Sequence, residues 1–445
     1  MDLTQILPQF GNLAFTLFAF VVALSIIVAV HEFGHYIVGR WSGIHAEVFS
    51  LGFGPVLVSR QDRRGTRWQI AALPFGGYVK FLGDANAASV GGDMEHVAPR
   101  DRRHTMMGAP LWARTATVIA GPAFNFLLSI VIFAGVILLT GQPRLPLTVA
   151  TVDPLPGIYG DALRPGDEIL AIAGTDLTGE GLYALTSDAI PVAAQVDYSI
   201  RRDGEVLTVS GPNPDLPVVG ALNPGSAAYA AGIEQGDVVL AVAGQEVVDF
   251  QQIVAIVSGS DGQPLDFRIW RAGEELLFTL TPTRQDLPLD GGGFETRWLV
   301  GIVAGDFLDF ATESPGPLAA LGDALGQVWY IIVQSISSLW HIATGGISTC
   351  NLSGPVGIAQ ASGAMASQGT ANFIWFVAVL STAVGLLNLF PVPMLDGGHL
   401  VFYAYEAVAG RAPGDRALRV LMVAGLAVIL SLTLFGVMND LFLCP

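Results

Sequence analysis

The sequence predicts an α-helical integral membrane protein with four transmembrane helices, a membrane-associated β-hairpin and two extracytoplasmic β-rich domains. Three observations carry this prediction. Of 445 residues, 52% are apolar and only 13% are charged, whereas soluble domains carry about 25% charged residues. Four apolar runs, residues 10–38, 112–140, 371–395 and 417–443, each reach the roughly 20 residues needed to cross a hydrocarbon core. Residues 145–283 contain an internal repeat with the turns and alternation of β-structure.

Charge orients these elements. Residues 39–114 hold ten Lys/Arg against six Asp/Glu, while residues 141–370 hold eight against 26. The loop at 411–419 adds three Arg and one Asp. Positive charge near span ends marks the cytoplasmic side. Loops 39–114 and 396–416 therefore read as inside, and both termini and the acidic segment as outside. The acidic balance argues against nucleic acid as a partner. The first run lacks a basic leader region and continues through a His/Glu cluster, so it reads as a span and not a cleaved signal peptide. Cys350 and Cys444 both fall outside, where a bridge is permitted; two cysteines alone do not establish one.

In order, the elements are a first span with the His/Glu cluster (1–40), an inner loop (41–111) and a second span (112–140). Two β-rich domains (141–212 and 213–285) and a further outer region (286–370) follow. A third span (371–400), an inner loop (401–416) and a fourth span (417–445) complete the chain. The inner loop opens with "AEVFSLGFGPVLVSR" (46–60) and "TRWQIAALPFGGYVKF" (66–81), a hairpin apolar enough to dip toward the membrane and to offer an edge to an extended chain. Residues 84–105 read as a polar loop, with His96 and His104 solvated. In the repeat, "LRPGDEILAIAGTDL" (163–177) is echoed by "IEQGDVVLAVAGQEV" (233–247), and "VDYSIRRDGEVLTVS" (196–210) by "LDFRIWRAGEELLFTL" (265–280). Asp323, Gln327, Gln334 and His341 interrupt residues 314–345, which fits a helix along the outer interface better than a fifth span.

The chemistry starts at "HEFGH", residues 31–35. Ionisable residues inside a span cost several kcal/mol, so this cluster needs a reason. On a helix, His31 and His35 lie about 6 Å apart along the axis and about 40° around it, so both imidazoles can reach one metal ion. Glu32 between them can deprotonate water there. A catalytic zinc wants a third protein ligand. Asp396, in "NLFPVPMLDGGHL" (388–400), is the only acid between Asp323 and Glu406. With four spans it lies at the depth of the histidines; a fifth span would put it in the opposite leaflet. His399 is the rival ligand. Pro391 and Pro393 break the helix, and Gly397 and Gly398 permit a sharp turn. Asn388 can supply an amide to the resulting cavity or cap freed backbone. In the second span, "AGPAFNFLLS" offers small residues for close packing and Asn125 as a hydrogen-bonding neighbour of the site.

With these motifs in place, the chain resembles the intramembrane site-2 zinc metalloproteases, and within them the bacterial RseP type. The resemblance covers nearly the whole length: HEFGH, GFGP and the hairpin, AGPAFN, the repeat, "NLSGPVGIA" (351–359) and NLFPVPMLDGG. The repeat itself resembles tandem PDZ domains, which can take up a peptide C-terminus at a sheet edge. The resemblance implies zinc held by His31, His35 and Asp396, with Glu32 as general base. It implies that Asn388 and Pro391 line the substrate path and that the hairpin, with Gly52, Phe53 and Gly54, holds the substrate as an added strand. It further implies a bacterial inner-membrane enzyme, with its site toward the cytoplasm. Such an enzyme cuts single-span anti-sigma factors after an earlier outer cut, and so regulates a transcriptional stress response.

Overall fold

The computed structural model describes residues 3–84, 97–178, 190–289 and 293–443, so the predicted solvated His96 lies outside the described residues. The chain divides into two compact units. The first comprises residues 1–136, 317–344 and 352–445; the second comprises 137–316 and 345–351.

The first unit is built on helices. Helix α1 (Leu3–Trp41) leads into strands β1 (Ala46–Gln61) and β2 (Arg67–Phe81), followed by α2 (Leu111–Thr140). Among the described residues, four helices are long and apolar enough to cross a membrane: Leu13–Trp41, Leu111–Thr140, Thr370–Asn388 and Arg416–Leu443. They close on one another through small residues. A Cβ added at Gly34 of α1 would stand 2.4 Å from the Ala120 carbonyl oxygen, so the backbones of α1 and α2 touch there.

The β1–β2 pair is more than a simple hairpin. Gln61 pairs with Arg67 and Val56 with Ala71, as a hairpin requires, but Ser50 pairs with both Gln69 and Tyr78. Both strands bend, so residues 46–51 lie between residues 67–70 and residues 77–81. The bends use positive φ at Gly52 (+85°), Gly54 (+83°) and Gly76 (+121°), where a side chain would be strained.

In the second unit, helices α3 (Ala227–Ala231) and α4 (Phe250–Ser258) accompany two small sheets. The first sheet orders its main strands Leu147–Val152, Glu168–Ile172, Gln195–Arg202 and Glu205–Pro212 around a core that includes Ile169, Tyr198 and Ile200. The second orders Gln245–Glu246, Val238–Val242, Leu265–Arg271 and Glu274–Leu280 around Val239, Phe267 and Ile269. The repeated Gly-Asp turns have one physical role. Asp167 accepts from the Arg164 backbone N–H at 2.8 Å and from Arg202 Nε and Nη2, both at 2.7 Å. Asp237 does the same with the Glu234 N–H at 2.9 Å and Arg271 Nε and Nη2, both at 2.6 Å. Each buried carboxylate ties its turn to the basic strand of its own repeat.

Both β-regions also draw on strands from beyond residue 285. Ile302–Ala304 pairs with Val219–Leu222, and Leu308–Phe310 pairs with Leu147–Val152. The chain after the second repeat therefore runs back to complete both β-regions, because their outer strands would otherwise leave backbone groups unpaired.

Returning to the first unit, α5 (Pro317–Ala343) buries Ala320, Ala324 and Val328 along one stripe and exposes Leu318, Trp329 and Trp340. It is not among the four candidate spans found in the described residues. Helix α6 (Pro355–Ser367) explains "NLSGPVGIA": Asp440 accepts from the backbone N–H groups of Gly354 and Gly357, both at 2.8 Å, at the helix start. Cys350 is disulfide-bonded, and the chain's other cysteine, Cys444, lies outside the described residues.

The predicted third span over 371–400 is two elements, and most of the predicted inner loop over 401–416 is helical. α7 (Thr370–Asn388) stops, and α8 (Asp396–Ala409) starts after an irregular stretch; α9 (Asp415–Met438) follows. Pro391 and Pro393 lack the N–H groups that would continue α7. The reversal is made by Met394, at φ +93°, not by the glycines expected to turn. Gly397 and Gly398 lie in the first turn of α8, where added Cβ atoms would stand 2.3 Å from the Leu389 carbonyl oxygen and 2.5 Å from that of Val392. Their smallness lets α8 start hard against the broken stretch.

Candidate metal centre

Three side chains from two distant parts of the chain converge inside the first unit. His31 Nε2 and His35 Nε2 are 3.1 Å apart. Asp396 Oδ2 lies 3.2 Å from His31 Nε2, and its Oδ1 lies 3.5 Å from His35 Nε2. Among the described residues, these three form the one His/Cys/Asp/Glu group with ligand atoms all within 4.8 Å of one another. His399, the rival ligand, lines the same cavity but stands outside the group, its ring edge-on to Phe402.

Helix α2 sets the imidazoles. His35 Nδ1 lies 2.8 Å from the Thr117 carbonyl oxygen, which can only accept. The neutral ring therefore carries its proton on Nδ1, which leaves Nε2 free to ligate. Pro122, which has no N–H, leaves the neighbouring Val118 carbonyl without its helical donor. His31 Nδ1 lies 3.2 Å from the Asn125 amide, whose Oδ1 is buried without a partner. With the amide turned so that Oδ1 accepts from Nδ1–H, His31 Nε2 is free as well. Asn125 is fixed in turn through its backbone, whose carbonyl oxygen accepts from Ser381 Oγ at 2.9 Å and Ser129 Oγ at 3.0 Å.

Two imidazole nitrogens and a carboxylate thus converge, a grouping that a metal cation between them would bind. Tetrahedral zinc with Zn–N of about 2.0–2.1 Å spaces two ligand nitrogens about 3.3 Å apart, close to the separation found. The donor set fits zinc. Gly121 supplies the remaining room: a Cβ there would stand 2.3 Å from His35 Nε2 and 2.8 Å from His31 Cε1.

A cavity of about 800 Å³ opens from this centre and is lined by Glu32 and by Gly77, Tyr78 and Val79 of β2. Gly77 brings β2 against α1, since an added Cβ would meet Val28 at 2.9 Å and Glu32 Cγ at 3.1 Å. Asn388 also lines the cavity while its Nδ2 donates to the Val384 carbonyl at 3.0 Å, so it both caps α7 and faces the site. Gly52, Phe53, Gly54 and Pro391 are not among the lining residues. Phe53 reaches the site indirectly, stacked on Tyr78 with ring centroids 5.9 Å apart.

Sequence reasoning missed Gly121 and a part-buried ion pair on the cavity wall. Arg114 of α2 holds Glu406 of α8 with both nitrogens, at 3.0 and 2.6 Å. The available signal was two single charges in otherwise apolar surroundings, "LWARTATV" and "FYAYEAVA".

Comparison with known proteins places the chain in a family of peptidases. The model of peptidase family M50 matches residues 19–432. A relative from Agrobacterium fabrum that carries the name of a zinc metalloprotease is 36% identical over 442 residues, covering 99% of each chain. One from Rhizobium meliloti with the same kind of name is 37% identical over 433 residues, covering 97% of each. The regulator of sigma E protease of Salmonella typhimurium is 32% identical over 436 residues, covering 91% of this chain and 93% of that one.

Proposed function

Because the chain belongs to peptidase family M50 and is a zinc metalloprotease, we propose that it cuts single-span membrane proteins within or near their membrane segment. As the resemblance to site-2 proteases implies, the substrate is of the anti-sigma-factor type, cut after an earlier extracytoplasmic cleavage to regulate a stress response. The carrying observation is the convergence of His31, His35 and Asp396 beside Glu32, on helices apolar enough to span a membrane. The charge distribution supports an inner-membrane protein with its site toward the cytoplasm and both termini and the β-rich unit outside.

His31 Nε2, His35 Nε2 and the Asp396 carboxylate would hold the zinc. Bound there, zinc supplies a Lewis acid that polarises the scissile carbonyl and acidifies water. Glu32 takes the proton of the attacking water as its oxygen bonds to the carbonyl carbon, and returns that proton to the amine as the C–N bond breaks. Thr117 and Asn125 keep both imidazoles in the ligating tautomer. A peptide bond in a helix must first be unwound, which frees backbone groups that lipid cannot satisfy. Residues 77–81, rather than the bend at Gly52–Gly54, offer the nearest strand to pair with that freed segment. Asn388 faces the same space and can bind a substrate carbonyl. The two β-rich repeats act as PDZ-like domains that meet the substrate's outer end, including a C-terminus newly made by the first cut.

Two variants test the assignment in the purified full-length protein. Glu32→Gln keeps about one zinc per chain and loses cleavage of a single-span substrate. Asp396→Ala loses both. Turnover by Glu32→Gln, or full zinc content in Asp396→Ala, would remove the basis of this reading.

A further inference from the structure

We propose that Arg114 and Glu406 form a clamp that sets the rotation of α8, and through it the grip of the site on its metal. The inference rests on reading Asp396 as a ligand. Asp396 is the first residue of α8, and the irregular stretch before it denies it helical continuity with α7. Its placement therefore depends on what holds α8.

The near end of α8 is held by Gly397 and Gly398 against the backbone of residues 389–393. Contacts made by glycines fix where a helix starts but present no side chains to stop it turning about its axis. The outer face, with Val401, Tyr405 and Val408 exposed, offers no restraint within the protein. The inner face supplies it. Glu406 receives both terminal nitrogens of Arg114, and the same guanidinium lies over the Tyr403 ring, 5.2 Å from its centroid. Both partners are largely shielded, with side chains 13% and 21% exposed.

The far side of this clamp is α2, which also carries Thr117, Gly121 and Asn125, the three residues that orient His31 and His35. One helix is thus the common reference for all three ligands. Side-chain tips lie about 5–6 Å from a helix axis, so a turn of about 20° would carry the Asp396 carboxylate roughly 2 Å from the imidazoles. That displacement is as large as a whole Zn–O bond. A two-pronged Arg–carboxylate contact resists such a turn better than a single contact, because its geometry is planar and directional.

Zinc release from the full-length protein to a chromogenic chelator tests the clamp. Arg114→Gln and Glu406→Gln should each release zinc at least tenfold faster than wild type. The double variant should release no faster than the worse single, because both remove one shared interaction. Arg114→Lys keeps the charge but not the fork, and should fall between. Wild-type release from both single variants overturns the clamp, as does a double variant in which the two effects multiply. Asp396→Ala, measured alongside, separates the two ideas. If it retains zinc as wild type does, the ligand assignment fails. If it loses zinc while Glu406→Gln does not, only the clamp fails.

Discussion

At the scale of single residues, Gly121 matters as much as the histidines it touches. Any side chain there would occupy the space of His35 Nε2. Gly121→Ala should therefore lower bound zinc to a small fraction of one per chain, read by metal analysis of purified protein. Gly135, on the same helix but facing open space, is the matched control. Its change to Ala should keep the metal and raise helix stability by about 0.5–1 kcal/mol. Asp167 makes a second prediction at this scale. Burial pushes its carboxyl up, but the Arg202 hydrogen bonds, the Arg164 backbone N–H and the two Arg charges more than offset that, holding it below the usual range. A depressed folded-state value means this contribution is complete above about pH 4 and fades as pH falls through the folded value. Asp167→Asn should cost about 2–3 kcal/mol near neutral pH and nearly nothing in strong acid. Hydrogen-exchange protection of Glu168–Ile172 and Gln195–Arg202 in the full chain would show it.

At the scale of elements, the instructive cases are the breaks. Pro391 and Pro393 announce in the sequence that α7 must end, but not that a new helix begins at Asp396. That start depends on two glycines fitting against backbone that folds back from residues 389–393. The hairpin is similar. Alternation in 46–81 reveals two strands, while the double pairing of residues 46–51 appears only when β2 bends at Gly76 and Gly77 and lies along α1. Gly77→Val should displace residues 77–81 from Glu32 and lower cleavage at least tenfold with zinc unchanged; cleavage at the wild-type rate would count against that strand as the substrate edge. Helix α6 shows long-range capping, as its first amides are held by Asp440 some 80 residues away. Asp440→Ala should cost about 1–2 kcal/mol, seen as faster exchange in the first turn of α6.

At the scale of the molecule, every proposed zinc ligand lies in the first compact unit, and the second contributes none of them. A chain lacking residues 142–313, with its ends joined by a flexible linker, should still bind about one zinc. A deletion confined to 145–283 should not stay well folded, because Ile302–Ala304 and Leu308–Phe310 would lose their strand partners. Proteolytic sensitivity around residues 294–313 separates the two designs. The sequence by itself determined the number of candidate spans, the two-fold β repeat and the identity of the three converging side chains. Apolar length, alternation and ionisable residues in costly places are local signals, readable one segment at a time. Tertiary structure alone decided that Gly121 must be bare, that Arg114 meets Glu406, that residues 302–310 complete both β-regions, and that β2 rather than the Gly52–Gly54 bend lines the cavity. Each of those depends on which surfaces meet across large gaps in the chain. Close approach leaves no mark in composition except a small residue, whose reason shows only when its neighbour is in place.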